Sequence, residues 1–261
     1  MKPFLIQKDI EEKRGICFLH GWLMSPDIWT ASMSAVAQRG WRAVALPQPA
    51  HGQSLPQDGI FSMERWADQT IEQLQALGLE RCIFVGQSMG SMLALTIASR
   101  HPDKVLGLGL TASIDEPASA EEAGLFRDLT AQVSDHWSIK TAEMVSGLLI
   151  GKAFLQAHPT FLGEWTKAVS NYALKDMPAI GQAVAGRPDN TQAAAQLCVP
   201  TVVIHGKDDA AIPVETGVQV ANRIPHARLV RIPTVGHCPP LEAPSAVAAE
   251  VIQLAEVGLY Q

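Results

Sequence analysis

Short apolar runs alternate with longer amphipathic stretches along most of the chain. The runs are four to six residues long and rich in Val, Ile and Leu, without a strict polar–apolar alternation. Such runs are typical of strands that are buried on both faces. They cover residues 16–19, 42–46, 82–85, 105–110, 201–205 and 228–232. The pattern therefore predicts the strands of a mainly parallel sheet.

Helical patterns fill several of the intervals between these runs. Residues 63–77 repeat apolar side chains on one helical face and stop at Gly78. Residues 89–100 are rich in Ala and Leu, and residues 243–257 carry Pro244 near their first turn. Strands that alternate with helices predict an α/β fold, with a mostly parallel, doubly wound sheet and helices on both faces.

The alternation breaks in the middle of the chain. Residues 114–196 are helical by composition, contain no convincing strand and carry several aromatic side chains. We therefore expect a core domain made of residues 1–113 and 197–261, with residues 114–196 forming a helical cap. The cap is expected to lie over the carboxyl ends of the strands, the edge where open parallel sheets bind ligands.

The strongest chemical signal is the segment CIFVGQSMGS at residues 82–91. A buried strand runs into Gly-x-Ser-x-Gly and a helix begins directly afterwards, which is the context of a nucleophile elbow that presents Ser88. Gly86 and Gly90 are required there, because a Cβ at either position would collide across the turn. A glycine-rich strand–helix junction that binds phosphate is the alternative interpretation.

A candidate acid and a candidate base follow two later strands. Asp208 and Asp209 lie in VVIHGKDDAAIP at residues 202–213, although a solvated polar turn would also explain them. His237 follows the last strand, and a histidine is suited to take the proton of a serine at neutral pH. The order Ser88, aspartate, His237 is the acid-before-histidine order of α/β-hydrolases. The other histidines are expected to be solvated or capping groups, among them His51, His101, His136, His158 and His226.

A fourth segment, CFLHGW at residues 17–22, ends the first predicted strand. Gly21 allows the backbone to approach the site, so the backbone N–H groups of Trp22 and Met89 are candidates for an oxyanion hole. The alternative is that Trp22 is an ordinary core aromatic. We expect the side chain of His20 to be structural.

Taken together, the blocks HGW, GQSMG, HGKDDAAIP and GHCPPLEAP resemble the α/β-hydrolase superfamily, in particular its branch of small-molecule esterases, enol-lactonases and C–C hydrolases. In that family the acid stands three residues after the strand-end glycine and four before a proline, which implies Asp209 rather than Asp208. The acidic loop of the family is altered at residues 47–54, which lack its Asp and its first Gly. Only about fifteen residues precede the HGW strand, so the first strand of the family is expected to be missing.

The resemblance implies a serine hydrolase that cleaves a carboxylic ester of a small, apolar substrate through an acyl-enzyme. Its triad would be Ser88, Asp209 and His237, and no metal or cofactor is expected. The cap aromatics predict that Trp137 and Trp165 contact the substrate, together with Trp22 and Met89; packing within a helical subdomain is the alternative. Other candidate activities are an enol-lactonase, a meta-cleavage C–C hydrolase and a cofactor-free perhydrolase. A different class is a hydrolase-fold ligand receptor or signalling protein with slow turnover.

The composition of the chain limits the classes of binding partner, the kinds of cysteine site and the cellular location that we expect. The chain has 20 Lys and Arg against 26 Asp and Glu, a net charge of −6, which argues against a nucleic-acid partner. The 4 cysteines are scattered without a CxxC pair, which fits neither a zinc site nor a disulfide framework. Cys238, beside His237, is expected to be an incidental small residue rather than a redox-sensitive thiol. With no signal-peptide pattern and no membrane-length apolar run, we expect a soluble, cytoplasmic protein.

Overall fold

The computed structural model describes residues 4–6, 13–51 and 61–259. Its strands are β1 (Phe4–Ile6), β2 (Arg14–Leu19), β3 (Ala43–Leu46), β4 (Arg81–Gln87), β5 (Val105–Thr111), β6 (Thr201–Gly206) and β7 (Arg228–Ile232). They form a seven-stranded sheet in the order β1-β3-β2-β4-β5-β6-β7. The pairs from β3 to β7 are all parallel. The predicted α/β fold is therefore confirmed, and each predicted strand lies within one of these elements or overlaps it.

The first strand departs from the prediction. We expected it to be missing, but β1 pairs antiparallel with β3, with Phe4 opposite Ala45 and Ile6 opposite Ala43. Three residues are too few to show a polar–apolar period, so the sequence carried no signal for this edge strand.

Helices cover both faces of the sheet because the central strands are apolar throughout. The core helices are α1 (Thr30–Ala37), α2 (Met63–Ala76), α3 (Met89–Arg100), α10 (Val214–Arg223), α11 (Pro239–Glu242) and α12 (Pro244–Gly258). Helix α1 packs against α12 and α2 packs against α3, while α3 and α12 each contact β4 and β5. The three helices predicted at residues 63–77, 89–100 and 243–257 are confirmed to within one residue at each end.

Residues 114–196, called here the helical insertion, connect β5 to β6 and contain no strand. Their helices are α4 (Ala120–His136), α5 (Ile139–Leu149), α6 (Lys152–Ala157), α7 (Phe161–Val169), α8 (Met177–Ala185) and α9 (Thr191–Ala195). Helix α4 packs against α8 and α5 packs against α7, whereas α9 contacts α3 and α10 of the core. The predicted helical character is confirmed, and the division into core and cap domains stays a prediction. In the described part of the chain, no helix is both long enough and apolar enough to cross a bilayer.

Candidate active site

Ser88 lies on the sharp turn between β4 and α3. Its backbone has φ 51° and ψ −116°, in a region that side-chain-bearing residues avoid, at a cost of about 1–3 kcal/mol. A Cβ on Gly86 would lie 2.2 Å from the carbonyl oxygen of Gly90, and a Cβ on Gly90 would lie 2.2 Å from that of Leu19. Both contacts are with backbone, which cannot move aside. The turn therefore requires both glycines, as the sequence predicted.

Hydrogen bonds connect Ser88, His237 and Asp209 in one chain. Ser88 Oγ lies 2.8 Å from His237 Nε2, and His237 Nδ1 lies 2.9 Å from each carboxylate oxygen of Asp209. The three residues follow β4, β7 and β6, so they meet at the carboxyl edge of the sheet. Asp208 is exposed instead, and its backbone N–H donates to the carbonyl of Val235. The structure thus places Asp209, not its neighbour, against the histidine.

The environment of Asp209 keeps its carboxyl group ionised. Burial alone would raise its pKa, but His237, a hydrogen bond from His205 and the backbone N–H of Ile212 together hold that pKa well below its ordinary value. The backbone N–H groups of Ala211 and Ile212 each donate to Oδ1 at 2.9 Å. An ionised Asp209 accepts a hydrogen bond from His237 Nδ1–H, which leaves Nε2 free to accept the proton of Ser88.

His205 is a second buried histidine at this carboxylate, so the prediction that it would be a solvated or capping group is wrong. Its Nε2 lies 2.9 Å from the carbonyl oxygen of Ile212 and 3.1 Å from Asp209 Oδ2. Because a carbonyl oxygen only accepts, this nitrogen carries a proton and is shared between the two oxygens. The ring fits because α10 has Gly217 beside it, where a Cβ would lie 2.3 Å from His205 Nδ1.

The loop that carries His237 is held by Glu242. One oxygen of this carboxylate accepts from the backbone N–H of Gly236 at 2.7 Å, and the other accepts from that of Cys238 at 3.0 Å. The same loop abuts the helical insertion, since a Cβ on Gly236 would lie 2.4 Å from the backbone nitrogen of Gly151. The carboxylate therefore fixes the backbone on both sides of His237.

Two backbone donors are available near Ser88. Met89 begins α3, so its N–H is one of those that a helix start leaves without an intrahelical partner. Gly21 brings the strand end close, because a Cβ there would lie 1.8 Å from Oε1 of Gln87. Among the hydrogen bonds of the described residues, none uses the backbone N–H of Trp22 or Met89.

A cavity of about 280 Å³ opens onto Ser88 and His237. The core and the helical insertion both contribute apolar side chains to its wall, among them Trp22, Met89, Met92, Leu125, Phe126, Leu129, Leu148, Leu149, Val184 and Ile212. One ion pair also lies in the wall, with Arg187 Nη2 3.3 Å from Glu122 Oε1. Ser88 and His237 therefore border a mostly apolar cavity.

Trp137 and Trp165 do not line this cavity, so the cavity gives no support to the prediction that they contact the substrate. Trp165 is 6% exposed and donates its indole N–H to the carbonyl of Leu23 at 2.8 Å. Trp137 donates to the carbonyl of Thr166 at 3.0 Å and packs edge-on against Trp165. Backbone carbonyls thus accept the indole N–H of both side chains. The aromatic side chains of the wall are those of Trp22 and Phe126, which pack 5.2 Å apart.

Two further buried histidines support the end of β2. His20 is structural, as expected: its Nδ1 donates to the carbonyl of Gly21 and its Nε2 accepts from the backbone N–H of Gln48. His51 was expected to be solvated or capping, and that prediction is wrong, because it is fully buried and accepts from the backbone N–H of Leu23 at 2.8 Å. Burial lowers the pKa of both, that of His51 to about 4. Of the altered acidic loop, residues 52–54 lie outside the described residues.

Cys238 lies beside His237 but is fully buried. Burial, with the nearby carboxylate of Glu242, raises the pKa of its thiol well above the ordinary value, so it is protonated at neutral pH. In residues 13–51 and 61–259, no group of three or more His, Cys, Asp or Glu side chains is placed to hold a metal ion.

The chain is similar to known proteins both in sequence and in structure. A family model described as alpha/beta hydrolase fold matches residues 16–244. The chain is 28% identical over 243 residues to a pimeloyl-[acyl-carrier protein] methyl ester esterase from Aromatoleum aromaticum, covering 89% of this chain and 94% of the relative. It is 25% identical over 234 residues to a bifunctional esterase/perhydrolase from Acinetobacter calcoaceticus, covering 85% and 84% of the two chains. A thermophilic esterase from Thermogutta terrifontis superposes with a TM-score of 0.88 at 25% identity, covering 98% of this chain and 93% of that chain.

Proposed function

Because the chain belongs to the alpha/beta hydrolase fold family, we propose that it is a serine hydrolase that cleaves a carboxylic ester of a small, mostly apolar substrate. The observation that carries the proposal is the continuous hydrogen-bond chain from Ser88 through His237 to Asp209 at the wall of an apolar cavity. The names of the similar proteins, which include esterases, support the same class of reaction.

In this mechanism the reaction takes two steps. Ser88 Oγ attacks the ester carbonyl while His237 Nε2 takes its proton, and the alcohol leaves with that proton as the acyl-enzyme forms. Water then attacks the acyl-enzyme, with His237 again acting as base, and releases the acid. Asp209 stabilises the cationic imidazole in both steps. The backbone N–H groups of Trp22 and Met89 hold the oxyanion of each tetrahedral intermediate.

The size of the cavity sets the expected substrate range. Its volume of about 280 Å³ is near the lower limit of ligand sites, which run from roughly 300 to 1,000 Å³. We therefore expect esters of short and medium acyl chains to be turned over faster than long-chain esters.

A panel of p-nitrophenyl esters, assayed with the wild type and Ser88→Ala, tests the proposal. We expect Ser88→Ala to lose at least about 10³-fold in kcat/KM. A fluorophosphonate probe should label the wild type at Ser88 and leave the variant unlabelled. Hydrolysis that survives the substitution would contradict the proposal.

The same panel separates the other candidate activities. Enol-lactones, vinylogous 1,5-diketones and the pair of acetate with hydrogen peroxide would be added as substrates for the lactonase, C–C hydrolase and perhydrolase reactions. The relative that is named a bifunctional esterase/perhydrolase is the observation that favours including the last of these. A ligand that stays bound through purification, with negligible turnover of every ester, would instead identify a receptor.

A further inference from the structure

The four residues 21–24, called here the oxyanion loop, are held by hydrogen bonds from distant parts of the chain. His51 Nε2 accepts from the backbone N–H of Leu23 at 2.8 Å. The indole N–H of Trp165 donates to the carbonyl of Leu23 at 2.8 Å, and the hydroxyl of Tyr172 donates to the carbonyl of Met24 at 3.1 Å. Both polar groups of the Leu23 backbone are thus fixed by side chains.

Two of these three bonds come from the helical insertion rather than from the sheet. Trp165 belongs to α7, and Tyr172 follows that helix by three residues. The same region contacts the third partner, because the ring of Tyr172 packs 5.4 Å from that of His51 and the N–H of Ala173 donates to the carbonyl of Ala50. The helical insertion and the oxyanion loop therefore form one hydrogen-bonded unit.

The oxyanion loop needs this support because its backbone is strained. Leu23 has φ 57°, a left-handed conformation that costs a residue with a branched side chain about 1–3 kcal/mol and persists only where its surroundings impose it. The peptide of Leu23 directly follows Trp22. The N–H of Trp22 belongs to the peptide just before this one, so a displacement of the Leu23 backbone would displace that N–H through Trp22.

We propose that Trp165 and Tyr172 are positioning residues that aim the Trp22 N–H at the oxyanion, so that the helical insertion completes the oxyanion hole as well as covering the cavity. The inference rests on the proposed hydrolase function. It assigns to Trp165 a role through the backbone in place of the substrate contact that sequence reasoning gave it.

The test compares Trp165→Phe with Trp137→Phe. Both substitutions keep an aromatic ring and remove one indole N–H that donates to a backbone carbonyl, at 2.8 Å and 3.0 Å respectively. Only the first of these carbonyls belongs to the oxyanion loop. For each variant, kcat and KM are measured with one p-nitrophenyl ester, together with the Ki of a trifluoromethyl ketone, whose adduct with Ser88 carries an oxyanion.

We expect Trp165→Phe to lower kcat about tenfold, with KM changed less than about twofold, since a small misplacement of a transition-state donor affects the rate before it affects binding. The Ki of the trifluoromethyl ketone should rise by the same factor. Trp137→Phe should leave all three within about twofold. Tyr172→Phe, which removes only a hydroxyl, should shift kcat and Ki in the same direction as Trp165→Phe. If Trp165→Phe does not fold, Tyr172→Phe alone tests the proposed positioning role.

The results that would contradict the proposed function differ from those that would contradict only the positioning role of Trp165 and Tyr172. If the wild type shows no hydrolysis that depends on Ser88, the proposed function fails and the inference falls with it. If hydrolysis depends on Ser88 but Trp165→Phe and Tyr172→Phe keep wild-type kcat and Ki, only the inference is overturned. Equal losses in Trp165→Phe and Trp137→Phe would also overturn it, because they would indicate a general effect on the helical insertion.

Discussion

Protonation of His51 should destabilise the protein in a defined range of pH. The pKa of His51 is lowered from 6.5 to about 4, chiefly because the ring is buried without access to water. Its Nε2 also accepts the Leu23 N–H, an arrangement that a protonated imidazole cannot keep. The unfolded chain therefore binds a proton at this residue below about pH 6.5, whereas the folded chain does so only near pH 4.

The sign and size of the effect follow from this difference. Between pH 6.5 and about pH 4, the unfolded state binds more protons than the folded state. The contribution of neutral His51 to the free energy of unfolding is therefore complete above about pH 6.5 and decreases as the pH falls towards 4. A pKa lowered from 6.5 to about 4, at about 1.4 kcal/mol for each pKa unit, corresponds to a total loss of about 3 kcal/mol. Most of that stability should be lost by pH 4.5.

Urea unfolding followed by tryptophan fluorescence measures this loss at pH 7.5, 6.5, 5.5 and 4.5. The matched variant is His51→Gln, whose amide oxygen can still accept the Leu23 N–H but does not titrate. Burial lowers the pKa of His20 in both proteins, whereas the further lowering by the charge of His51 occurs only in the wild type and adds to the difference in the same direction. We expect the wild type to lose about 2–3 kcal/mol more than the variant between pH 7.5 and 4.5.

One result would refute the reasoning. If the free energy of unfolding of the wild type and His51→Gln falls by the same amount over this range, His51 does not titrate between the folded and unfolded states as described. A larger fall in the variant would contradict the sign.

Three further outcomes are expected. Asp209→Asn should lower kcat by about 10⁴-fold with little change in KM, as an amide in place of the carboxylate favours the wrong tautomer of His237; retention of more than a tenth of the activity would contradict the role of the acid. His205→Leu should lower kcat about tenfold while His205→Gln, which can still donate to the carboxylate, stays close to wild type; equal activities of the two variants would exclude a positioning role. Ellman's reagent should titrate one thiol in the native protein, and Cys198→Ser should abolish that reaction, because the other three cysteines are buried.

The strands of the sheet and the residues Ser88, Asp209 and His237 could be predicted from the sequence, because each is marked by a local sequence pattern. Strands buried on both faces leave continuous apolar runs, and Gly86 and Gly90 stand at the fixed spacing that the turn around Ser88 requires. The family spacing around Asp209 separated it from Asp208, and the structure places Asp209 against His237.

The residues that were missed or misjudged act through contacts that no local pattern records. Trp165 donates to a carbonyl 142 positions away, so its sequence neighbours gave no reason to prefer that role to substrate contact. His51 and His205 were not recognised because they act through hydrogen bonds to backbone groups of other loops, which their sequence neighbours do not indicate. Glu242 likewise becomes meaningful only once the loop around His237 has closed.

The meeting of Gly236 and Gly151 sets a rule for exchanging helical segments between related enzymes. With backbone against backbone at this junction, neither position tolerates even a methyl group, and a Cβ on Gly151 would also lie 2.3 Å from an oxygen of Glu242. A transplanted segment must therefore bring a glycine to this junction, or the base would be displaced however well the new pocket suits its ligand. At this junction, the transplanted segment and the recipient therefore have to be chosen as matched pairs.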